Sequence, residues 1–165
     1  MSNEISFLNA HPNAQRLMKD EFFYDITDQL SPFGDDDSWE TFMAFQEWLQ
    51  TNSNRNKMEF IHQQISYWDY PPFDLNTTDF DVINRYLQTS PLHNRFLYGT
   101  DEAIIATAFG QLYLEGLIDL NIRNLAITAI KRQTLTEMIA MHSEEFSNKI
   151  VIKYSKLLKV LQPQP

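Results

Sequence analysis

The residues best placed to do chemistry are the acids crowded into Ser31-Pro32-Phe33-Gly34-Asp35-Asp36-Asp37-Ser38. A hard cation wants several oxygen ligands in a flexible loop, and successive carboxylates offer them. The spacing does not sustain that reading. Counted as an EF-hand loop from Asp35, the segment puts Trp39 where a ligand belongs, Glu40 where the glycine belongs and Gln46 at the twelfth position. The same acids suit the start of a helix, with Asp37 or Asp36 as its cap and the remainder favouring its positive end. No metal site is expected here.

Histidines stand at 11, 62, 93 and 142, and none has the HExxH type of spacing that sets ligands on one helical face. His11 precedes Pro12, a residue that suits the first turn of a helix, so a capping or packing role is expected for it. No G-x-S-x-G elbow, phosphate-cradling P-loop or G-x-G-x-x-G turn occurs. The absence of cysteine removes thiol catalysis and thiolate metal sites together. Nothing singles out one acid pair among the 22 Asp and Glu residues. We therefore expect no catalytic residue and no cofactor, and a binding role rather than catalysis. The alternative is a small enzyme whose site is assembled from scattered carboxylates and histidines.

The most unusual local composition is Tyr67-Trp68-Asp69-Tyr70-Pro71-Pro72-Phe73-Asp74. Prolines set such a turn and the aromatics can bury it against the core. Trp and Tyr are also favoured interface anchors, and acids around them suit a basic partner. Trp68, Tyr70 and Phe73 are thus the candidate partner-binding anchors, with Asp74 and Asp79 as rim charges.

Charge supports that assignment. Residues 20–81 hold fourteen acids and two bases, whereas residues 120–165 hold three acids and seven bases, within a net charge of −9. A sequence pI near 4.8 argues against nonspecific binding to nucleic acid or anionic lipid, which needs a clustered positive surface. It favours a basic protein partner, whose approach the anionic half would steer.

The elements that must position these residues are helical. Only four glycines occur, and the apolar residues repeat at helical rather than alternating spacing. In the tail, Phe146, Ile150, Tyr154, Leu157, Leu158 and Leu161 fall on one stripe. Lys149, Lys153, Lys156 and Lys159 take other faces, and Glu144 and Glu145 sit in the first turn, which predicts an amphipathic helix over 143–162. Thr134 with Glu137 has the spacing of a capping box for a short helix ahead of Met138. Residues 100–116 and 119–133 read as a helical hairpin, with Thr100 or Asp101 capping the first helix, Gly116 closing it and Asp119 capping the second. The first of these is apolar on most sides and is expected at the centre of the domain. Upstream, helices are expected over 38–50 and 58–68, and another from the Thr78/Asp81 pair to about 87. Pro71 and Pro72 forbid continuous helix over 69–77.

Ala10-His11-Pro12 with Leu17-Met18 and Glu21-Phe22-Phe23, then Ser31-Pro32-Phe33-Gly34-Asp35-Asp36 and Tyr70-Pro71-Pro72-Phe73-Asp74, resembles the YfeS-like family of small uncharacterised bacterial proteins. Asp101–Gly116 and the run 125–133 continue the likeness, which covers about residues 8–133. That family's turn reads Phe-Gly-Asn-Asp followed by glycine, and Asp35-Asp36-Asp37-Ser38 replaces it here. The resemblance implies a bacterial source and a compact helical domain. It implies no activity and carries no functional residue across.

At 165 residues the chain fits one domain able to bury roughly 70% of the surface its unfolded form exposes. We expect a single all-α domain over 1–165 of seven or eight helices. No signal-type segment or apolar run of membrane-spanning length is present, so a cytoplasmic protein away from membranes is expected. The expected function is that of an acidic binding protein, in its concrete form an immunity protein neutralising a basic bacterial toxin. A homo-oligomer, with the basic terminal helix on the acidic body of a neighbour, is the third reading.

Overall fold

A computed structural model describes residues 4–162. Among them eight α-helices and no strand form: α1 (Pro12–Leu17), α2 (Asp36–Asn52), α3 (Lys57–Tyr67), α4 (Phe80–Thr89), α5 (His93–Glu115), α6 (Leu120–Gln133), α7 (Thr136–Ile139) and α8 (Glu144–Leu161). The domain is all-α, as the periodicity predicts. No helix among the described residues is long and apolar enough to cross a membrane.

Helix α5 is the axis of the domain. Its 23 residues span about 35 Å at the usual rise, and it contacts α1, α2, α3, α4 and α6. From Gly99 to Tyr113 every residue is buried, so it takes the place of a core. Gly110 lies against the rings of Phe42 and Phe45, which lets α2 approach closely. Phe109 is fully buried and stacks on Phe23 with ring centroids 6.0 Å apart. Helix α5 ends at Gly116, whose φ of 76° is left-handed, and a Cβ there would collide with the His11 imidazole. His11 also caps α1 by accepting from the Asn13 amide, ahead of Pro12, as expected of it.

Several predicted caps are corrected. The hairpin's first helix does not start at Thr100 or Asp101; α5 begins at His93, and both residues lie mid-helix because residues 93–99 continue the turn upstream. Asp101 is there because α6 supplies it with a buried arginine. Asp119 holds the cap position of α6 but makes no side-chain cap bond. The cap of α2 is Asp35, which accepts from the Ser38 amide, while Asp36 and Asp37 occupy the first turn. Asp79, not Thr78, caps α4. Thr134 turns its hydroxyl back to the Ile130 carbonyl at the end of α6 and starts no capping box. The terminal helix is as predicted at both ends, capped by Ser143, except that Lys153 does not lie on a solvated face: it is 2% exposed.

Candidate functional site

The aromatic turn lies between α3 and α4 and is pinned from several sides. Asp69, with a φ of 58°, reverses the chain after α3. Trp68 packs on Tyr70 at 5.2 Å, and Tyr70 packs on Phe96 at 4.9 Å. Phe73 faces inward against Tyr86 and the Arg132 guanidinium, which lies 5.2 Å from its ring. The Tyr86 hydroxyl donates to the Pro71 carbonyl at 3.2 Å, and Arg132 Nη1 donates to the carbonyls of Leu75 and Thr77. The turn frames a groove of about 360 Å³ with Ile65, Tyr70 and Phe73 on its walls and Thr100 of α5 among its lining residues.

The five sequence-assigned residues thus share one segment but not one surface. Trp68 and Tyr70 are half-buried and Phe73 faces the core side, while Asp74 and Asp79 are exposed. Asp74 and Asp79 also have local roles, accepting from the amides of Asn76 and Asp81. The exposed aromatic is Tyr67, at 78%, which the sequence reading did not single out as an anchor. Helical phase gave no signal for it, because Tyr67 lies seven residues after the buried Phe60 on nearly the same face of α3.

A second concavity lies across Asp37 from the groove. Arg95 Nη1 donates to Asp37 Oδ2 at 2.5 Å, and the Tyr70 hydroxyl donates to the same oxygen at 3.3 Å. This three-residue bridge needs Gly99, since a Cβ there would meet the Tyr70 ring at 2.9 Å and the Arg95 guanidinium at 2.8 Å. Beyond Arg95 opens a cleft of about 420 Å³ between the 29–35 turn, the start of α5 and residues 142–146. A recess of about 270 Å³ carrying Gly34 and Asp36 adjoins it and shares Gln29, Asp35, Arg95 and Tyr98 with it. Burial pushes the Tyr98 phenol well above its usual range, and among the described residues no hydrogen bond engages its hydroxyl.

Beneath the cleft is a sealed polar cluster. Glu102 accepts from Lys153 Nζ at 2.8 Å, from the Tyr154 hydroxyl at 3.2 Å and from the Ser38 hydroxyl at 3.4 Å. Ser38 also donates to Asp35 Oδ2 at 2.6 Å, which joins the α2 cap to the cluster. Burial raises the Glu102 carboxyl to about 7, with Lys153 opposing and Asp35 adding to the rise. At the preceding position of α5, Asp101 pairs with Arg132 and accepts from Gln133 Nε2 at 2.7 Å. Both pairs are closed to solvent, with side-chain exposures of 0–1%.

The other candidate ligands stay dispersed. His93 Nδ1 lies 2.7 Å from the Tyr86 carbonyl, His62 lines the aromatic groove and His142 packs on Phe146. Among the described residues no group of three or more His, Cys, Asp or Glu could hold a metal ion. No family model, no curated protein and no solved structure matches this chain.

Proposed function

We propose that this is a non-catalytic, acidic binding protein whose partner is a basic protein, in the concrete form of an immunity protein that neutralises a cationic bacterial toxin. The observation that carries this reading is how the fold sorts its charges. Of the fourteen acids in residues 20–81, Asp37 alone is buried. Of the two bases there, Lys57 is buried and Arg55 is spent on Glu59. The cationic half loses Arg132 and Lys153 to the interior. The surface of residues 20–81 therefore keeps the full excess of acids that the sequence count gives, while the cationic half keeps only five of its seven bases on the surface, and such a field raises the encounter rate with a cation.

Two competing readings lose support. The most perturbed carboxylates, Asp101 and Glu102, have no exposed surface and are committed to internal bases, so neither reaches a substrate. The basic terminal helix spends Lys153 on Glu102 and Lys156 on Asp20 of its own chain, which leaves it little to offer an acidic neighbour.

The test is genetic and then biophysical. Expression of the open reading frame adjacent to this gene should be toxic, and co-expression of this chain should relieve the toxicity. The purified pair should associate more slowly as salt rises, because exposed charges are screened beyond about 8–10 Å near physiological ionic strength. A harmless neighbour, together with no basic partner retained from the native cell, would sink the reading.

A further inference from the structure

The geometry points to the cleft at Arg95 and Tyr98 as a guanidinium subsite, filled by an arginine side chain of the basic partner; this deepens the binding reading above and rests on it. Three features carry it. The first is charge. Asp35 and Asp36 face the cleft or its recess, and Arg95, the one Lys or Arg among the described residues that line them, is offset by Asp37. The cation beneath, Lys153, is buried against Glu102 and presents almost no surface to the cleft. The positive end of α2, worth about half a charge, draws on the same Asp35 and Asp36 and cancels only part of their negative charge. What remains is an uncompensated negative charge at a concave surface, where field lines concentrate.

The second feature is unused hydrogen-bonding capacity. Asp36 is exposed and among the described residues makes no ion pair or side-chain hydrogen bond, and the Tyr98 hydroxyl is likewise unengaged by them. Tyr98 keeps its proton because burial raises its phenol, but its oxygen still accepts. A guanidinium has donors and no acceptor, so it matches carboxylate and phenol oxygens. The third feature is flatness. His142 and Phe146 form an edge-to-face pair with centroids 5.1 Å apart on one wall, and Tyr98 stands on another. A planar, weakly hydrated guanidinium stacks on such faces better than an ammonium does.

The probe is N-acetyl-L-arginine amide, titrated into the whole chain and followed by NMR at Tyr98, His142 and Phe146. N-acetyl-L-citrulline amide serves as the uncharged isostere, and N-acetyl-L-glutamate amide as the anionic control. The arginine probe should give saturable shifts at those three residues, and citrulline should bind about tenfold more weakly, as expected when a charge-assisted hydrogen bond is lost. Asp36→Asn, at an exposed site that leaves the fold intact, should weaken the arginine probe by a factor of about three. Equal binding of citrulline, shifts confined to the aromatic groove, no saturable shift, or shifts caused by the glutamate probe would each overturn the assignment, the last by giving the cleft to an anion on Arg95. A basic partner that still binds Asp36→Asn and Phe146→Ala at wild-type strength would overturn the subsite while leaving the proposed function standing. Saturable arginine binding without any such partner would support the subsite while removing the proposed function.

Discussion

The Arg132 guanidinium of α6 meets the Asp101 carboxylate of α5 at 2.7 Å with neither side chain exposed. The same guanidinium holds the Leu75 and Thr77 carbonyls and faces the Phe73 ring. One buried cation therefore ties the central helix to the aromatic turn. Arg132→Met leaves Asp101 buried without its counter-ion and should cost about 3–5 kcal/mol in denaturant unfolding. Pairing it with Asp101→Leu should recover part of that loss, because a buried ion pair and a packed apolar pair differ far less than an intact pair and a broken one. A double variant as unstable as the sum of the singles would show that the two groups are not coupled.

Glu102 makes stability depend on pH in an unusual direction for a carboxylate. Its folded value of about 7 lies above the ordinary value of 4.5, so between those limits the folded state holds a proton that the unfolded chain has released. Its contribution is fully present below pH 4.5 and is lost as pH rises through 7. The charged groups around it are Asp35 and Lys153, and the neutral hydroxyls of Tyr154 and Ser38 donate to it. Relative to Glu102→Gln, which keeps the protonated shape, the wild-type protein should lose stability from pH 5 to pH 8, by an amount on the order of 3 kcal/mol. A difference that grows with pH would mean that Lys153 outweighs burial.

Phe109→Ala should cost about 3–5 kcal/mol, the usual range for truncating a buried aromatic. Phe109 has no exposed surface and stacks on Phe23, so the cavity would open at the centre of α5. Urea unfolding monitored by far-UV circular dichroism measures it. A loss of only a few tenths of a kcal/mol would remove Phe109 from the core.

What the sequence made legible was set by local periodicity and by polar residues acting over three or four positions. The stripe from Ile150 to Leu161, the left-handed Gly116 and the break at Pro71–Pro72 are all local effects and are found as expected, whereas Phe146, the first residue of the expected stripe, is exposed. Interior polar residues were read wrongly for the same reason. Asp101 looks like a cap and Lys153 like a solvated lysine until α6 brings Arg132 to the first and α8 carries the second to Glu102 of α5, across 31 and 51 residues. The aromatic turn was visible by composition alone. Which of its rings face water depended on Arg132, Tyr86 and Asp37, all distant in the chain.

The two acids at the head of α2 have separable roles. Asp35 caps the helix, so Asp35→Ala should cost about 0.5–2 kcal/mol and Asp35→Asn much less, since Asn caps as well as Asp. Asp37 instead joins Arg95 to Tyr70, and with Arg95 half-exposed its replacement by Asn should cost about 1 kcal/mol or less. Calcium or magnesium added to chelator-treated protein should raise neither melting temperature beyond a general salt effect. A one-to-one isotherm that disappears in Asp35→Asn and Asp37→Asn would replace the cap assignment with a metal site.

The kinetics of partner binding should separate rim from anchor on the aromatic turn. Asp74 and Asp79 are exposed and make only local backbone bonds, so Asp74→Lys and Asp79→Lys should chiefly slow association, and more so at low salt. Asp79→Lys also removes the cap of α4, and Asp79→Asn therefore serves as the control that retains the cap while removing the charge. Tyr67 exposes an aromatic surface with nothing to lose in the core, whereas Trp68 and Tyr70 are packed on each other and Phe73 on Tyr86. Tyr67→Ala should therefore speed dissociation without lowering the melting temperature, with a loss of about 2 kcal/mol in affinity if it fills a pocket on the partner. Phe73→Ala should lower the melting temperature as well as affinity, because it also uncovers Arg132. Surface plasmon resonance against the identified partner, beside thermal unfolding of each variant, measures both. A partner indifferent to Tyr67, Asp74 and Asp79 alike would place its footprint elsewhere on the anionic half.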